Sequence, residues 1–386
     1  MKVKLGDICS ILNGFAFKSD KYVDEGIRVI RITNVQKGYI EDEKPQFYPI
    51  GEIDSIKDYI LRENDILLSL TGNVGRVAML DVDFLPAALN QRVACLRIKE
   101  SNIILRYLYY ALLSNRFEND CISSAKGIAQ KNMSTEWLKQ YEINIYSKEK
   151  QLEIIDVLDN LSKIISARKQ QVQQLDELVK ARFVELFGTL DNPVQNFKRA
   201  MLKELCNKIT DGKHGGCTSE EGTERYFVGA REIYDDEVHY DTAPEINVAE
   251  FEKDYKRCNI EIGDFLIVNT GATIGKSAIA SDARTEHTLL QKSVALLKVK
   301  QEVLNPVFLK WCYRVNTKMY MVESASAQPN LLLSKINTTE IYVPDIELQK
   351  LFADFVKEVD KSKFVVQKAL DEAQILFDSL MQEYFG

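Results

Sequence analysis

The chain repeats itself. Residues 1–188 and 199–386 superpose at an offset of about 198 positions. Asn64-Asp65-Ile66-Leu67-Leu68 followed by Thr71-Gly72-Asn73-Val74-Gly75-Arg76 matches Gly263-Asp264-Phe265-Leu266-Ile267 followed by Thr270-Gly271-Ala272-Thr273-Ile274-Gly275-Lys276. Ala129-Gln130-Lys131-Asn132 matches Ala327-Gln328-Pro329-Asn330, and both halves finish on Phe-Gly, at Phe187-Gly188 and Phe385-Gly386. A period this long is a duplicated domain and not a solenoid repeat. Two related but non-identical halves in one chain predict a near-two-fold object. The commonest target with its own approximate two-fold symmetry is duplex DNA.

Each half has the same internal order. Short alternating apolar stretches come first, such as Arg28-Val29-Ile30-Arg31-Ile32 and Phe265-Leu266-Ile267-Val268, punctuated by Gly, Asn and Asp. That pattern predicts strands. Short helical segments follow near residues 103–118 and 305–322, and a long helix closes each half. The first is predicted over Lys148 to Phe187, with Leu158, Leu161, Ile165, Val172, Leu175, Val179 and Leu186 at spacings of three and four and Arg168 and Arg182 in the gaps. The second is predicted over Ile346 to Phe385, with Val356, Val359, Val366, Leu370, Ala373, Phe377, Leu380 and Tyr384. At ~1.5 Å per residue each helix would be roughly 60 Å long. Heptad-like spacing suits a coiled coil; the plainer alternative is that each helix packs only on its own domain. Gly188, with Pro193 beyond it, ends the first helix and marks the boundary between halves. The expected layout is therefore α+β: a domain over 1–147, a long helix over 148–188, a second domain over 189–345, and a last helix over 346–386.

Composition narrows the class. No apolar run reaches the length of a membrane span, and the start has no apolar stretch of signal-peptide length. The seven cysteines are scattered without a CxxC pair and read as reduced cytosolic thiols. Cys9 and Cys206 fall at equivalent places, which favours packing over chemistry. The net charge of −7 argues against a generally basic nucleic-acid binder. Residues 1–147 nevertheless balance 19 Lys+Arg against 19 Asp+Glu, so a local basic groove is compatible with the total.

Catalytic motifs do not assemble. Gly271 to Ser277 imitates a phosphate loop but has three residues between its glycines where four are needed, and the first copy ends Gly75-Arg76-Val77. Pro244-Glu245 with Asp254-Tyr255-Lys256 loosely resembles a nuclease cluster and has no partner in the first half. Asn192-Pro193-Val194 hints at an amino-methyltransferase motif but reads better as linker. His214, His239 and His287 lie too far apart for a familiar metal spacing. No Ser/His/Asp or Cys/His spacing is present. What remains is polar display: Asn73, Arg76, Thr273 and Lys276 on the glycine turns; Gln91, Arg92, Gln291 and Lys292 after them; Lys126, Gln130, Lys131, Asn132, Gln328 and Asn330 before the long helices. Arg, Lys, Asn and Gln are the types that read base edges in the major groove. Each is also a common surface residue, and both readings stay open from the residues alone.

Two further segments bring in a resemblance. Asn13-Gly14-Phe15-Ala16-Phe17-Lys18-Ser19 opens the first half and Ile209-Thr210-Asp211-Gly212-Lys213-His214 opens the second. With the repeated strand, glycine turn and Gln-x-Asn segment, and with Val343-Pro344-Asp345-Ile346-Glu347-Leu348-Gln349 entering the last helix, the whole chain resembles the DNA-specificity subunits of type I restriction-modification systems. The first copy, Ile145-Tyr146-Ser147-Lys148-Glu149-Lys150-Gln151, lacks the proline. The resemblance implies two mixed α/β target recognition domains in pseudo-two-fold arrangement, joined by two long helices that pair as an antiparallel coiled coil. It implies one half of a bipartite double-stranded DNA site per domain, and adds Lys18, Lys213 and His214 to the candidate contacts. It further implies two modification subunits carrying S-adenosylmethionine, two motor-nuclease subunits carrying ATP and Mg, and no catalysis, cofactor or metal in this chain.

Overall fold

The computed structural model describes residues 1–125, 132–320 and 330–386. They divide into two compact units, one formed by Met1–Lys169 with Lys368–Gly386 and the other by Gln170–Gln367.

In the first unit the apolar run Ile66–Ser69 is buried along its whole length. A short strand of this kind is covered on both faces. Ile66 and Leu68 face a core shared with the helices, while Leu67 joins a second core with Ile30, Leu80 and Leu89. The strand sits inside a four-stranded antiparallel sheet in the order Cys9–Asn13, Val93–Ile98, Ile66–Ser69, Val77–Met79. A second sheet pairs Ile27–Ile30 parallel to Ala87–Leu89 and antiparallel to Phe47–Tyr48. A ribbon of Lys2–Lys4 and Glu142–Asn144 ties the start of the unit to the entry of the long helix.

The second unit repeats the plan. Phe265–Val268 is likewise buried throughout and lies between Val294–Val299 and Ser277–Ile279, with Cys206–Asp211 at the edge. Phe265 and Ile267 face one core, Leu266 and Val268 another. Tyr226–Val228 runs parallel to Thr288–Leu290, and Lys198–Met201 pairs with Glu340–Val343. Among the described residues the segment near 103–118 is two helices, Leu105–Leu113 and Asn115–Ser124, broken at Ser114, whose hydroxyl caps the amide of Phe117 at 3.3 Å. Its counterpart is the single helix Pro306–Val315, capped by Asn305.

The long helices are Lys148–Phe187 and Ile346–Phe385, as the periodicity predicts. The missing proline in the first copy does not move the helix start relative to the repeat. Each helix contributes one end to each unit. In the first unit Ile154 and Leu158 share a core with Met381 and Phe385, and Lys150 Nζ lies 5.8 Å above the Tyr384 ring. In the second, Phe183 and Phe187 pack on Phe352 at ring separations of 5.4 and 5.6 Å, and Lys363 pairs with Asp176 at 2.9 Å. The helix segments in each unit therefore run antiparallel, with heptad positions facing inward.

One buried glutamine fixes each helix to its domain. Gln151 and Gln349 are both fully buried. Gln151 accepts from the Ile104 amide at 2.9 Å and donates to the carbonyls of Asn102 and Tyr146 at 3.1 and 2.9 Å. Gln349 accepts from Asn305 at 2.9 Å and donates to Val303 and Pro344 at 3.0 and 2.8 Å. A buried amide with its bonds made stabilises; left unpaired it costs about 1–3 kcal/mol. Each glutamine thus locks the helix entry to the backbone just before the short helix of the same unit.

Candidate nucleic-acid interface

Backbone hydrogen bonds draw the repeated segments together at one end of the four-stranded sheet in each unit, just beyond the ends of its strands. In the first, Phe15 donates to Leu89 O at 2.8 Å and receives from Gln91 at 2.9 Å; Leu70 donates to Arg92 O at 3.0 Å and receives from Met133 at 2.9 Å. Thr71 bridges to Asn132. The second unit repeats these contacts. Lys213 donates to Leu290 O at 2.7 Å and receives from Lys292 at 3.0 Å; Asn269 donates to Ser293 O at 3.0 Å and receives from Leu331 at 2.7 Å; Thr270 bridges to Asn330. Opening motif, glycine turn, post-turn segment and the segment before the long helix, far apart in sequence, form one continuous edge.

The motif glycines follow from this convergence. A Cβ on Gly14 would lie 2.2 Å from Asn90 O, and one on Gly212 would lie 2.1 Å from Leu290 O. No side chain fits where two backbones approach so closely. The motif aspartates are also structural. Asp65 accepts from the Arg62 amide at 2.8 Å and binds Arg97 through both oxygens, at 2.7 and 2.6 Å. Asp264 accepts from Glu261 at 2.8 Å and pairs with Lys298 at 2.7 Å. Burial raises the Asp264 carboxyl above its ordinary range, with Lys298 opposing.

The candidate side chains fall into three groups. Lys18, Gln91, Arg92, Asn132, Lys276 and Lys292 are exposed, and none of these side chains bonds another described residue. Thr273 is partly buried, and its carbonyl receives the Lys276 amide at 3.2 Å. A second group is already engaged. Lys213 turns into an acidic pair, 2.7 Å from Asp254 and 3.5 Å from Glu250, and its hydrogen bond to Asp254 holds its pKa high. His214 meets Asp211 at 3.3 Å. The Gln291 amide packs over Gly229 and donates to Phe227 O at 3.4 Å, and Asn330 accepts from the Thr270 hydroxyl at 3.2 Å. Arg76 donates to Gln36, a residue with no repeat or motif to draw notice in the sequence, and lies against Asn73. The third group, Lys126, Gln130, Lys131 and Gln328, lies outside the described residues.

Residues of the rejected enzyme motifs have structural partners. Glu245 accepts from the amides of Thr223 and Glu224 at 2.7 and 3.2 Å, and Asp254 holds Lys213. Burial pushes the Cys9 and Cys206 thiols up to about 12, which leaves both protonated and unreactive at neutral pH. No helix among the described residues is long and apolar enough to cross a membrane.

Two like-built α/β units, each presenting the same composite edge, define a duplicated recognition module carried on long helices. The family described as type I restriction modification DNA specificity domain matches the chain twice, over residues 1–177 and 195–373, and the chain belongs to that family. It is 22% identical over 415 residues to the EcoBI specificity subunit of Escherichia coli, covering 99% of this chain and 84% of that one. It is 26% identical over 183 residues to the MjaVIII specificity subunit of Methanocaldococcus jannaschii, covering 46% of this chain and 43% of that one. The crystal structure of the S subunit from M. genitalium shares the fold, with a TM-score of 0.57 at 17% identity over 100% of this chain and 96% of that one.

Proposed function

We propose that this chain is the DNA-specificity subunit of a type I restriction-modification complex and reads a two-part double-stranded site, one part with each unit. The observation that carries the reading is the composite edge built twice from four separated segments and bearing the exposed Lys18, Gln91 and Arg92 in one unit and Lys276 and Lys292 in the other, whose side chains bond no other described residue. Such side chains supply phosphate neutralisation and base-edge hydrogen bonds. The paired helix segments space the two readers and offer docking faces to two modification subunits. Those subunits bring S-adenosylmethionine and the methyl-transfer site, and motor-nuclease subunits with ATP and Mg join for cleavage. This chain supplies recognition and assembly, and works in the reducing cytoplasm, which suits its seven free thiols.

The test is methylome sequencing of cells that express this chain with its cognate modification subunit. A two-part methylated sequence is expected. Exchanging residues 1–147 for those of another family member should change one part and leave the other. A swap that alters both parts, or a methylome without a two-part site, would sink the reading.

A further inference from the structure

The glycine turns of the two units occupy equivalent places but are built differently. In the first unit, the hydroxyl of the fully buried Ser69 donates to Asn73 O and receives the Arg76 amide at 3.0 Å. The equivalent strand position in the second unit is Val268, which has no hydroxyl. Arg76 Nη1 donates to Gln36 Oε1. With the Asn73 amide turned so that its oxygen faces the guanidinium, Asn73 accepts from Nη1 and Nη2 at 3.2 Å each.

Gln36 is itself immobilised. Its Nε2 donates to Thr33 O at 2.9 Å. The neighbouring Lys37 bonds Asn115 and Glu118 at 2.6 Å each, the Gly38 amide donates to Val77 O at 2.8 Å, and Tyr109 donates to Gly38 O at 3.1 Å. The second unit has an open cleft of about 380 Å³ here, lined by Tyr234, Asp235, Lys276 and Tyr320. Lys276 is exposed beside it and bonds no other described side chain.

The hydrogen-bonding valences left open on the first turn decide what it can bind. The acceptors of Gln36 and Asn73 are turned inward onto Arg76. The groups left are donors: the Asn73 amide N–H groups, and the Arg76 protons not used by Gln36 and Asn73. An edge of donors matches paired acceptors and disfavours the adenine major-groove edge, which carries a donor at N6. On the reading that these edges face DNA, we propose that Asn73 and Arg76 form a prefolded donor edge, with Gln36 as its positioning residue, that meets an acceptor pair: guanine N7 and O6, or phosphate oxygens. Lys276 in the second unit is an exposed point charge with no such fork of donors.

The experiment uses the full chain in complex with its modification subunit. Methylated sites are sequenced, and DNA affinity is measured across a salt series, for Asn73→Ala, Gln36→Leu, Arg76→Ala and Lys276→Ala. If the acceptors belong to guanine, Asn73→Ala and Gln36→Leu should relax selection at one guanine of one half-site by about 5- to 150-fold. If they belong to phosphate, all sites should weaken together, and Arg76→Ala, which removes the charge, should lower the salt slope by about 1, while the neutral changes Asn73→Ala and Gln36→Leu leave the slope near the parent's. In either case Gln36→Leu should act in the same direction as Arg76→Ala but less strongly, because it releases the guanidinium without removing it. Lys276→Ala should weaken all sites together and lower the salt slope by about 1, with selection unchanged. The proposal is overturned if Asn73→Ala, an exposed substitution that leaves the core untouched, changes neither selection nor affinity. It is equally overturned if Gln36→Leu leaves selection and affinity at the parent values while Arg76→Ala does not. A parent complex with no two-part site would instead remove the functional reading itself, so the two failures are distinguishable.

Discussion

Replacing Gln349 by leucine tests whether the long helix is locked to its domain through a buried amide. The substitution removes one acceptor and two donors from a fully buried position. The Asn305 N–H loses its partner outright, a cost of about 1–3 kcal/mol; the carbonyls of Val303 and Pro344 each lose a donor, and a further 1–3 kcal/mol together is reasonable. Leucine recovers about 1 kcal/mol by placing apolar surface in an apolar site. The net loss is about 3 kcal/mol, or roughly 150-fold in the local opening equilibrium. Asn305 also caps the helix Pro306–Val315 by accepting from Val307 and Phe308 at 2.8 and 3.4 Å, so the first turn of that helix should loosen with it. Hydrogen exchange followed by mass spectrometry reads this directly. Peptides over 303–310 should exchange about 100-fold faster, while peptides over 102–110 stay as in the parent. Gln151→Leu should give the mirror result, because Gln151 makes the same three bonds around Ile104. Gln374→Leu, which loses only a bond to Asp378 one helical turn away, should change little. A change below tenfold in the substituted unit, or equal loosening in both units, would refute the argument that each glutamine is a local lock.

Phe187→Ala should cost the second unit about 3–5 kcal/mol, since the ring is fully buried against Phe308 at 4.9 Å and Phe352. Phe385→Ala, at the rim of the first core 5.4 Å from Tyr107, should cost that unit less; urea unfolding followed by unit-specific proteolysis checks both. Asp264 has a folded pKa raised by burial, so its contribution to stability is fully present below the unfolded value and is lost as pH rises through the folded value. Stability relative to Asp264→Asn should therefore improve as pH falls from neutral through the carboxylate range; a difference independent of pH would contradict this. Inserting one heptad into each long helix, between Arg168 and Leu175 and between Val366 and Ala373, preserves the inward positions and lengthens each helix by about 10 Å. The surviving methylated sites should keep their half-site bases with a gap longer by about three base pairs; an unchanged gap at full activity would show that the helices do not set it.

The helices and the buried strands were legible because their signals are local. The three-and-four spacing from Leu158 to Leu186 can only face one side of a helix, and Phe265–Val268 is too short and too apolar to be anything but a covered strand. The composite edge was legible only as a set of repeated segments. Nothing local says that Phe15 bonds Leu89 and Gln91, or that Thr71 bridges to Asn132. The roles of individual side chains were the least legible. Lys213 carries the charge of a phosphate contact, yet Asp254 and Glu250 arrive from a helix some forty residues downstream and absorb it. Gln36 lies in a loop with no repeat, so its hold on Arg76 leaves no trace in composition or period. The aspartates of the repeated strand motif were visible as a pattern, but only the folded Arg97 and Lys298 show that they brace the strand from within.

The division of each long helix between two cores also sets an order in time. The second unit is drawn entirely from residues 170–367, whereas the first needs Met381 and Phe385 to cover Tyr107, Ile154 and Leu158. Those two residues leave the ribosome about 200 positions after Phe187, some 10–40 s later at ~5–20 residues per second. Through that interval the first unit carries an uncovered apolar face while the second can close around Phe183 and Phe187 as soon as Phe352 emerges. The unit made first is the one finished last, and the nascent chain is most prone to aggregate in the window between.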